Sequence, residues 1–219
     1  MNFDVEFALS MLPVVLEAIP TTVLVAIAAC IGASVLGFSL EMLRRSNRYF
    51  GWLVRFVIDF IRSTPALVQI YFFYFVLPFY GVTMPAFAVG VVGLSIYYSG
   101  YLAEVFKAGI EAIPSGQFEA AKAIGLTRFD ATVFVIAPQM LRNIAAPMGN
   151  YFVGILKSTP YLAVIGVNEM LGASMQVASD TFRYAEPMAI VGIVFLILAI
   201  SIAQLVRLLE ERLLLSSKR

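Results

Sequence analysis

The residue types on which enzyme active sites usually depend are scarce in this sequence. Its 219 residues include no histidine and a single cysteine, Cys30. Without histidine, neither an H-E-x-x-H zinc site nor a serine–histidine triad is available. One thiol forms neither an intrachain disulfide nor a soft-metal site. The sequence also lacks a G-x-x-x-x-G-K-[ST] phosphate loop, so we expect no catalysis and no bound cofactor in this chain.

The most regularly patterned polar residues lie in the segment 108–142, where they predict a short helix. Pro114-Ser115 offers a helix start with Ser115 as N-cap, and Gly125 suits the position just after a helix end. The helix predicted over 116–124 contains Glu119, Ala120, Ala121 and Lys122. About two turns of helix are marginal alone in water, and alanines leave the backbone near the surface. We therefore expect a small protruding helix that seats in a groove of another protein.

The composition indicates that a lipid bilayer surrounds most of the chain. It is 61% hydrophobic and 13% charged, whereas an ordinary soluble domain is about a quarter charged. The net charge of +1 gives no electrostatic reason to expect nucleic acid binding. Crossing the hydrocarbon layer takes about 20 apolar residues, and long uncharged runs cover 18–40, 63–103 and 187–206. We predict an all-α protein with five spans, near 15–40, 55–77, 86–107, 143–165 and 186–208.

The distribution of basic residues predicts the orientation of these spans. Twelve of the 15 basic residues fall on one side if the spans alternate: Arg44, Arg45, Arg48, Arg55, Lys107, Lys122, Arg128, Arg142, Arg207, Arg212, Lys218 and Arg219. Arg183 alone falls on the other side. Because basic loops stay in the cytoplasm, we expect the N-terminus outside, the C-terminus inside and the segment 108–142 in the cytoplasm. The acidic first 17 residues argue against a cleaved signal peptide.

Two further patterns concern packing. Ala29, Ala33 and Gly37 recur every four residues, which predicts a small-residue stripe where another helix approaches closely. The aromatic run 71–75 lies near the outer end of the second span, where an interfacial belt is favoured over a ligand cage.

After this first helix, Thr127 and Asp130 predict a second cap, followed by a helix that runs until Pro138.

Several motifs together resemble those of a known transporter family. Glu119-Ala120-Ala121, three residues, Gly125, nine residues and Val135-Ile136-Ala137-Pro138 resemble the EAA loop of ATP-binding-cassette importer permeases. Val135 and Ala137 replace the usual Ile and Leu. Stretches 60–69, 101–110, 116–121 and 157–159 are similar to the polar amino-acid subfamily, with Ser63 and Glu17 where many members have Gly.

This resemblance implies an architecture, a set of partners and a coupling site. Such permeases have the type I, MetI-like fold of five helices and work as dimers in the bacterial inner membrane. They bind two ATPase subunits, which hold ATP and Mg, and they receive substrate from an extracytoplasmic solute-binding protein. The substrate would be a small zwitterion, either a polar amino acid or a derivative such as an opine or ectoine. The residues matching the coupling motif are Glu119, Ala120, Ala121, Gly125 and Pro138.

Polar residues within the predicted spans are candidates for the substrate pathway. They are Thr64, Gln69, Tyr97, Tyr98, Ser99, Lys157 and Ser158. Lys157 lies about 22 Å along a helix from Arg142, at 1.5 Å per residue, and an unpaired charge at that depth costs several kcal/mol. It would line the pathway and meet the substrate carboxylate, or it would snorkel outward or form a salt bridge. For the others, hydrogen bonding within the core is the alternative, and Arg62 would snorkel or pair with Asp59.

One competing class of function is an ion-coupled secondary transporter or a channel subunit. Ion coupling typically uses carboxylates inside the membrane, and the interiors of the first, fourth and fifth predicted spans contain none. Five spans also do not divide into an inverted repeat. ATP-driven uptake with the ion gradients collapsed would distinguish the two classes.

Overall fold

The computed structural model describes residues 3–215, without the side chains of Arg128, Glu210 and residues 213–215. Lys218 and Arg219, two of the basic residues used for the orientation, lie outside the described residues. The described part is helical and contains no strand. Its α-helices are α1 Val5–Ser10, α2 Leu12–Arg44, α3 Arg48–Ser63, α4 Ala66–Tyr71, α5 Ala86–Glu111, α6 Ser115–Ala123, α7 Arg128–Asp130, α8 Ala137–Ser158, α9 Met170–Thr181 and α10 Ala185–Leu215. Wider π-helical turns cover Phe72–Val76 and Ala131–Ile136, and tighter 3₁₀ turns cover Leu77–Tyr80 and Thr159–Ile165.

Three helical stretches in residues 3–215 are long and apolar enough to cross a membrane. They are Val5–Arg44, Ala86–Glu111 and Ala185–Leu209, and they contain the predicted first, third and fifth spans. A bent pair, Arg48–Ser63 with Ala66–Tyr80, gives a fourth candidate if it is one span. Helix α8 is not among them because polar residues such as Gln139, Asn143 and Asn150 dilute its apolar content. The total of five spans therefore stays a prediction.

The predicted second span, 55–77, is not one continuous helix. Helix α3 and the segment Ala66–Tyr80 meet at a bend of 100°. The cause is Pro65, which disfavours helical backbone at the residue before it, and Thr64 is extended (φ −100°, ψ 130°). The Gln69 side chain caps the break, since its Nε2 donates to the carbonyl oxygens of Ile61 (2.8 Å) and Thr64 (3.2 Å).

The centre of the molecule is the contact between α2 and α5. Ala29 and Ala33 are fully buried, and a Cβ added at Gly37 would lie 2.9 Å from the Leu102 Cβ and 3.0 Å from the Ser99 carbonyl oxygen. The predicted small-residue stripe is therefore confirmed: it lets two helix backbones approach closely. Around this contact, α4 and α8 complete a core that includes Ile70, Leu94, Leu102, Ile144 and Ile155.

At the opposite end from α6, two polar contacts fix the ends of helices. Arg183 donates to Glu186 (2.8 Å) at the start of α10 and to Asp4 (3.3 Å) ahead of α1. Glu169 is fully buried and caps α9, accepting from the backbone N–H groups of Leu171 (3.0 Å) and Gly172 (2.7 Å). Burial raises the pKa of Glu169 to about 7, although both N–H groups act in the opposite direction.

Candidate coupling helix and transport pathway

The predicted protruding helix is α6, and its start lies one residue earlier than expected. The helix runs over Ser115–Ala123, so Ser115 is its first residue and Pro114 is the N-cap, with no side chain capping it. Pro114 occupies the extended region (φ −57°, ψ 137°) that an N-cap residue adopts. The prediction of Ser115 as N-cap was therefore wrong by one position, because the proline already ends the preceding chain in the required conformation.

The end of α6 is closed by Gly125, as predicted. Gly125 has a φ of +77°, which glycine adopts without the steric cost of a Cβ. Its N–H donates to the Lys122 carbonyl (3.0 Å), and the Leu126 N–H donates to the Ala121 carbonyl (3.1 Å). This pair of bonds is a Schellman motif, which satisfies carbonyl groups left open at a helix end.

Most of the surface of α6 is exposed. Within the helix only Ala121 is buried, whereas Glu119 and Ala120 are exposed. The helix packs on the π-helical turn Ala131–Ile136, and Gln139 Nε2 donates to Gln117 Oε1 across 3.2 Å. A short helix held on one side in this way leaves its other side free to contact a partner.

Exposed apolar residues lie within α6 and in the roughly ten residues after it, and the sequence analysis did not single them out. Ile124 is 75% exposed, Phe129 73% and Phe134 70%. Phe118, on α6 itself, is also exposed. Clustered apolar side chains on a protein surface mark interaction sites. Their nearness in sequence to Glu119-Ala120-Ala121 was the available signal.

The second cap is confirmed, whereas the predicted end at Pro138 was wrong. The Asp130 N–H donates to Thr127 Oγ1 (3.1 Å), and that hydroxyl donates to Asp130 Oδ2 (2.6 Å). The helical path then continues through Pro138, which is the second residue of α8. Proline lacks an N–H and crowds the carbonyl of the preceding turn. The wider π-helical turn Ala131–Ile136 directly before α8 accommodates it.

An ion-pair cluster ties the end of α2 to α5 near the start of this segment. Lys107 and Glu104 form a salt bridge (3.9 Å), but Arg44 is the closer partner of Glu104 (2.6 Å). Glu41, which is fully buried, contacts both Arg44 and Arg45. The sequence analysis missed Glu41, although its spacing of three and four residues from these arginines was the available signal.

Tyrosine side chains bring together part of the predicted pathway. The Tyr98 hydroxyl lies 2.8 Å from Ser158 Oγ, and the Tyr97 hydroxyl lies 3.2 Å from that of Tyr101. The Tyr101 ring also contacts Tyr151, with centroids 5.7 Å apart. These four tyrosines, here called the tyrosine cluster, join α5 to α8. Tyr101 and Tyr151 were not predicted as site residues. For Tyr101 a signal was available, because its spacing of four residues from Tyr97 places both tyrosines on one face of α5.

Thr64, Gln69 and Ser99 form hydrogen bonds within their own helices or at the break between α3 and α4. The Thr64 hydroxyl donates to the Phe60 carbonyl (2.9 Å), and the Ser99 hydroxyl donates to the Ile96 carbonyl (2.7 Å). Gln69 caps the break described above. For Gln69 and Ser99, which are buried, these contacts correspond to the core hydrogen bonding that was the alternative, whereas the Thr64 contact is exposed.

Arg62 and Lys157, the two basic residues that were not used to predict the orientation, differ in their surroundings. The Arg62 guanidinium lies 5.4 Å from the Tyr101 ring centroid, a cation–π distance. Among the described side chains, no salt bridge joins it to Asp59. Lys157 is exposed next to the buried Ser158. No described carboxylate lies within salt-bridge distance of its ammonium group, so the salt-bridge alternative for Lys157 has no partner among the described side chains.

Comparison with known proteins identifies the family. The chain belongs to the family described as binding-protein-dependent transport system inner membrane component, which matches residues 33–215. It is 39% identical over 213 residues to the probable amino-acid ABC transporter permease protein y4tG of Sinorhizobium fredii (strain NBRC 101917 / NGR234), covering 97% of this chain and 92% of that one. It is 30% identical over 219 residues to the glutamine transport system permease protein GlnP of Escherichia coli (strain K12), covering 97% and 99%. A crystal structure of an amino acid ABC transporter with histidines matches at a TM-score of 0.87 and 31% identity, covering 97% of this chain and 100% of that chain.

These likenesses define the fold and the general function. The chain has the type I, MetI-like importer permease fold and is a multi-pass protein of the bacterial inner membrane. It is the permease subunit of a binding-protein-dependent amino-acid ABC importer, a transport component rather than an enzyme, with ATP hydrolysis on a separate subunit. The alternative of an ion-coupled transporter or channel is therefore not retained. ATPase and solute-binding-protein partners follow from the family in general.

Proposed function

We propose that α6 is the contact through which an ATPase subunit drives the permease subunit. Two ATPase subunits would act in this way on a homo- or heterodimer of permease subunits. The observation that supports this is a helix fixed by a Schellman motif whose surface, apart from Ala121, is open. Glu119 and Ala120 would contact the ATPase, with Ala121 anchoring the helix underneath. Gly125 would set the direction in which the chain leaves α6, and Pro138 would lie in the first turn of α8, the helix that carries the movement towards the membrane. ATP and Mg would be held by the ATPase subunits.

We further propose that the substrate passes along the tyrosine cluster and Lys157. A small zwitterion carries a carboxylate, which the exposed ammonium of Lys157 would attract, and an ammonium, which tyrosine ring faces attract. Tyr97, Tyr98 and Ser158 would then be wall residues. Thr64, Gln69 and Ser99 would support the pathway by fixing the helices behind it. Polar amino acids are the first candidates, since a relative is named for glutamine and a solved neighbour for histidines. Opines or ectoine-type derivatives are the next ones.

Gly125→Asp tests the coupling role, and the chain offers a matched control in Gly81. Both glycines have positive φ, +77° and +82°, and nothing lies within 4 Å of a Cβ added at either position. Aspartate therefore imposes the same backbone strain and charge at both sites, but only one of them is next to α6. In proteoliposomes holding the complete importer, we expect Gly125→Asp to abolish ATP-driven uptake with the subunit still inserted, and Gly81→Asp to keep most of it. Full uptake by Gly125→Asp, or equal loss in both variants, would refute the role of α6.

A further inference from the structure

A basic hollow lies at the end of α2, and neither α6 nor the tyrosine cluster contributes to its lining. It has a volume of about 660 Å³ and opens between the end of α2 and the start of α3. Four arginines and two aromatic residues contribute to its lining: Arg44, Arg45, Arg48, Tyr49, Trp52 and Arg55. Arg44 is the last residue of the membrane-crossing stretch Val5–Arg44. Arg44 also follows the predicted first span, 15–40, by four residues, so we place the hollow at the boundary between the apolar layer and water.

Two of the four arginines are neutralised and two are not. Arg44 and Arg45 contact Glu41, and they reach Glu104 (2.6 Å) and Glu111 (3.6 Å) respectively. Among the described side chains, no carboxylate forms a salt bridge with Arg48 or Arg55, including Asp59, which lies one turn beyond Arg55. Two cationic groups therefore remain available to a bound anion.

The position of α3 presents these two arginines together with an apolar surface. Arg48, Trp52 and Arg55 follow each other at spacings of four and three residues, so they share one helix face. Gly51 brings α3 against the Arg44 carbonyl, where an added Cβ would collide. Beyond this contact, Leu53, Phe56 and Phe60 are exposed. The 100° bend after Ser63 turns α3 away from the direction of the following apolar segment. A basic, aromatic-rich amphipathic helix of this kind lies in the plane of a membrane interface.

We propose that this hollow binds the phosphate of an anionic phospholipid from the adjoining leaflet. Arg48 and Arg55 would pair with the headgroup, because guanidinium groups match phosphate oxygens in geometry and charge. Tyr49 and Trp52 would lie at headgroup depth, where amphipathic rings are favoured. The acyl chains would run along the exposed side of Leu53, Phe56 and Phe60. Free phosphate would use the same arginines, but it would gain nothing from the apolar surface, and this is why we assign the site to a lipid.

The test compares lipid binding to the intact importer in detergent by native mass spectrometry. The probes are dioleoyl phosphatidylglycerol and dioleoyl phosphatidylcholine, which differ in headgroup charge but not in acyl chains. An arginine near an anionic surface contributes about five-fold in affinity. We therefore expect wild type to prefer phosphatidylglycerol, and Arg48→Gln with Arg55→Gln to lower that preference by about 30-fold. The charge-matched control, Arg207→Gln with Arg212→Gln at the end of α10, should keep it.

Four results would overturn the proposal. Equal binding of the two lipids to wild type would do so without any variant, and so would an undiminished preference after the loss of Arg48 and Arg55. An equal loss in the α10 control would show diffuse attraction rather than a site. Displacement of phosphatidylglycerol by inorganic phosphate at millimolar concentration would assign the hollow to free anions. If the glutamine variant does not assemble, Arg48→Lys with Arg55→Lys serves instead: it keeps the charge but loses the guanidinium geometry, so we expect a weakened preference for phosphatidylglycerol, and an unchanged preference would contradict the guanidinium–phosphate contact.

Discussion

Lys157 is a cation on a helix that also supplies a buried hydroxyl to the tyrosine cluster. Its neighbour Ser158 bonds to Tyr98 at 2.8 Å, while the lysine side chain itself is exposed. Holding an unpaired ammonium at the surface of a membrane helix is costly. This free-energy cost is explained if the Lys157 ammonium binds the carboxylate of the substrate during transport.

This assignment predicts the effect of Lys157→Met. A charge-assisted hydrogen bond contributes about 1.5–3 kcal/mol, so we expect substrate uptake to fall by about ten-fold or more. Basal ATP hydrolysis by the reconstituted importer should change little, and Lys157→Arg should restore part of the uptake. Parallel loss of uptake, of ATP hydrolysis and of folded protein would instead assign Lys157 a structural role.

Glu169 is a second residue whose environment predicts a measurable effect. Its pKa rises from the ordinary 4.5 to about 7 on burial, so the folded protein holds a proton that the unfolded chain releases. Stability is therefore greatest below the unfolded value and decreases as the pH rises from about 4.5 to about 7, by on the order of 3 kcal/mol.

Thermal unfolding in detergent at about pH 5 and about pH 8 tests this linkage. We expect the wild-type unfolding temperature to be lower at the higher pH, and Glu169→Gln to remove most of that difference because glutamine does not titrate. The exposed Glu17 supplies the control, since Glu17→Gln should leave the difference unchanged. The same pH dependence in wild type and Glu169→Gln would contradict the assignment.

Among the structural elements, helix ends and caps could be predicted from the sequence more fully than contacts between distant segments. The end of α6 at Gly125 and the cap at Thr127 depend on residues within one or two turns, and both are confirmed. The bend at Pro65 was missed because the uncharged run 63–103 suggested uninterrupted spans. The contact of Tyr101 with Tyr151 depends on how α5 packs against α8, and no pattern within either helix specifies that packing.

The close contact between α2 and α5 predicts that alanine has different effects at two helical glycines. At Gly37 an added Cβ meets the Leu102 Cβ at 2.9 Å and backbone atoms of Ser99 and Ala103 at 3.0 and 3.1 Å. At Gly192 it meets nothing within 4 Å. We expect Gly37→Ala to destabilise the protein by about 1–3 kcal/mol through overpacking, and Gly192→Ala to be neutral or slightly stabilising.

Thermal unfolding of the purified subunit, followed by size-exclusion chromatography after heating, measures both variants. A lower unfolding temperature for Gly37→Ala alone is the expected result. If both variants unfold at the wild-type temperature, α2 and α5 do not approach each other as closely as described.

For the whole molecule, the composition identified the class of protein before the geometry did. A chain with 13% charged residues provides membrane spans, and the family places ATP hydrolysis on a separate subunit. The structure adds an exposed α6, which we propose contacts that subunit, and a tyrosine cluster joining α5 to α8. The arrangement predicts that solute moves only when an ATPase is bound.

Uptake by proteoliposomes tests this dependence most directly. One set holds the permease alone and the other holds the complete importer with its solute-binding protein, with ATP enclosed and ion gradients collapsed by ionophores. We expect accumulation of the amino acid only in the second set, and no replacement of ATP by an imposed ion gradient. Accumulation by the permease alone, or accumulation driven by an ion gradient without ATP, would contradict the account.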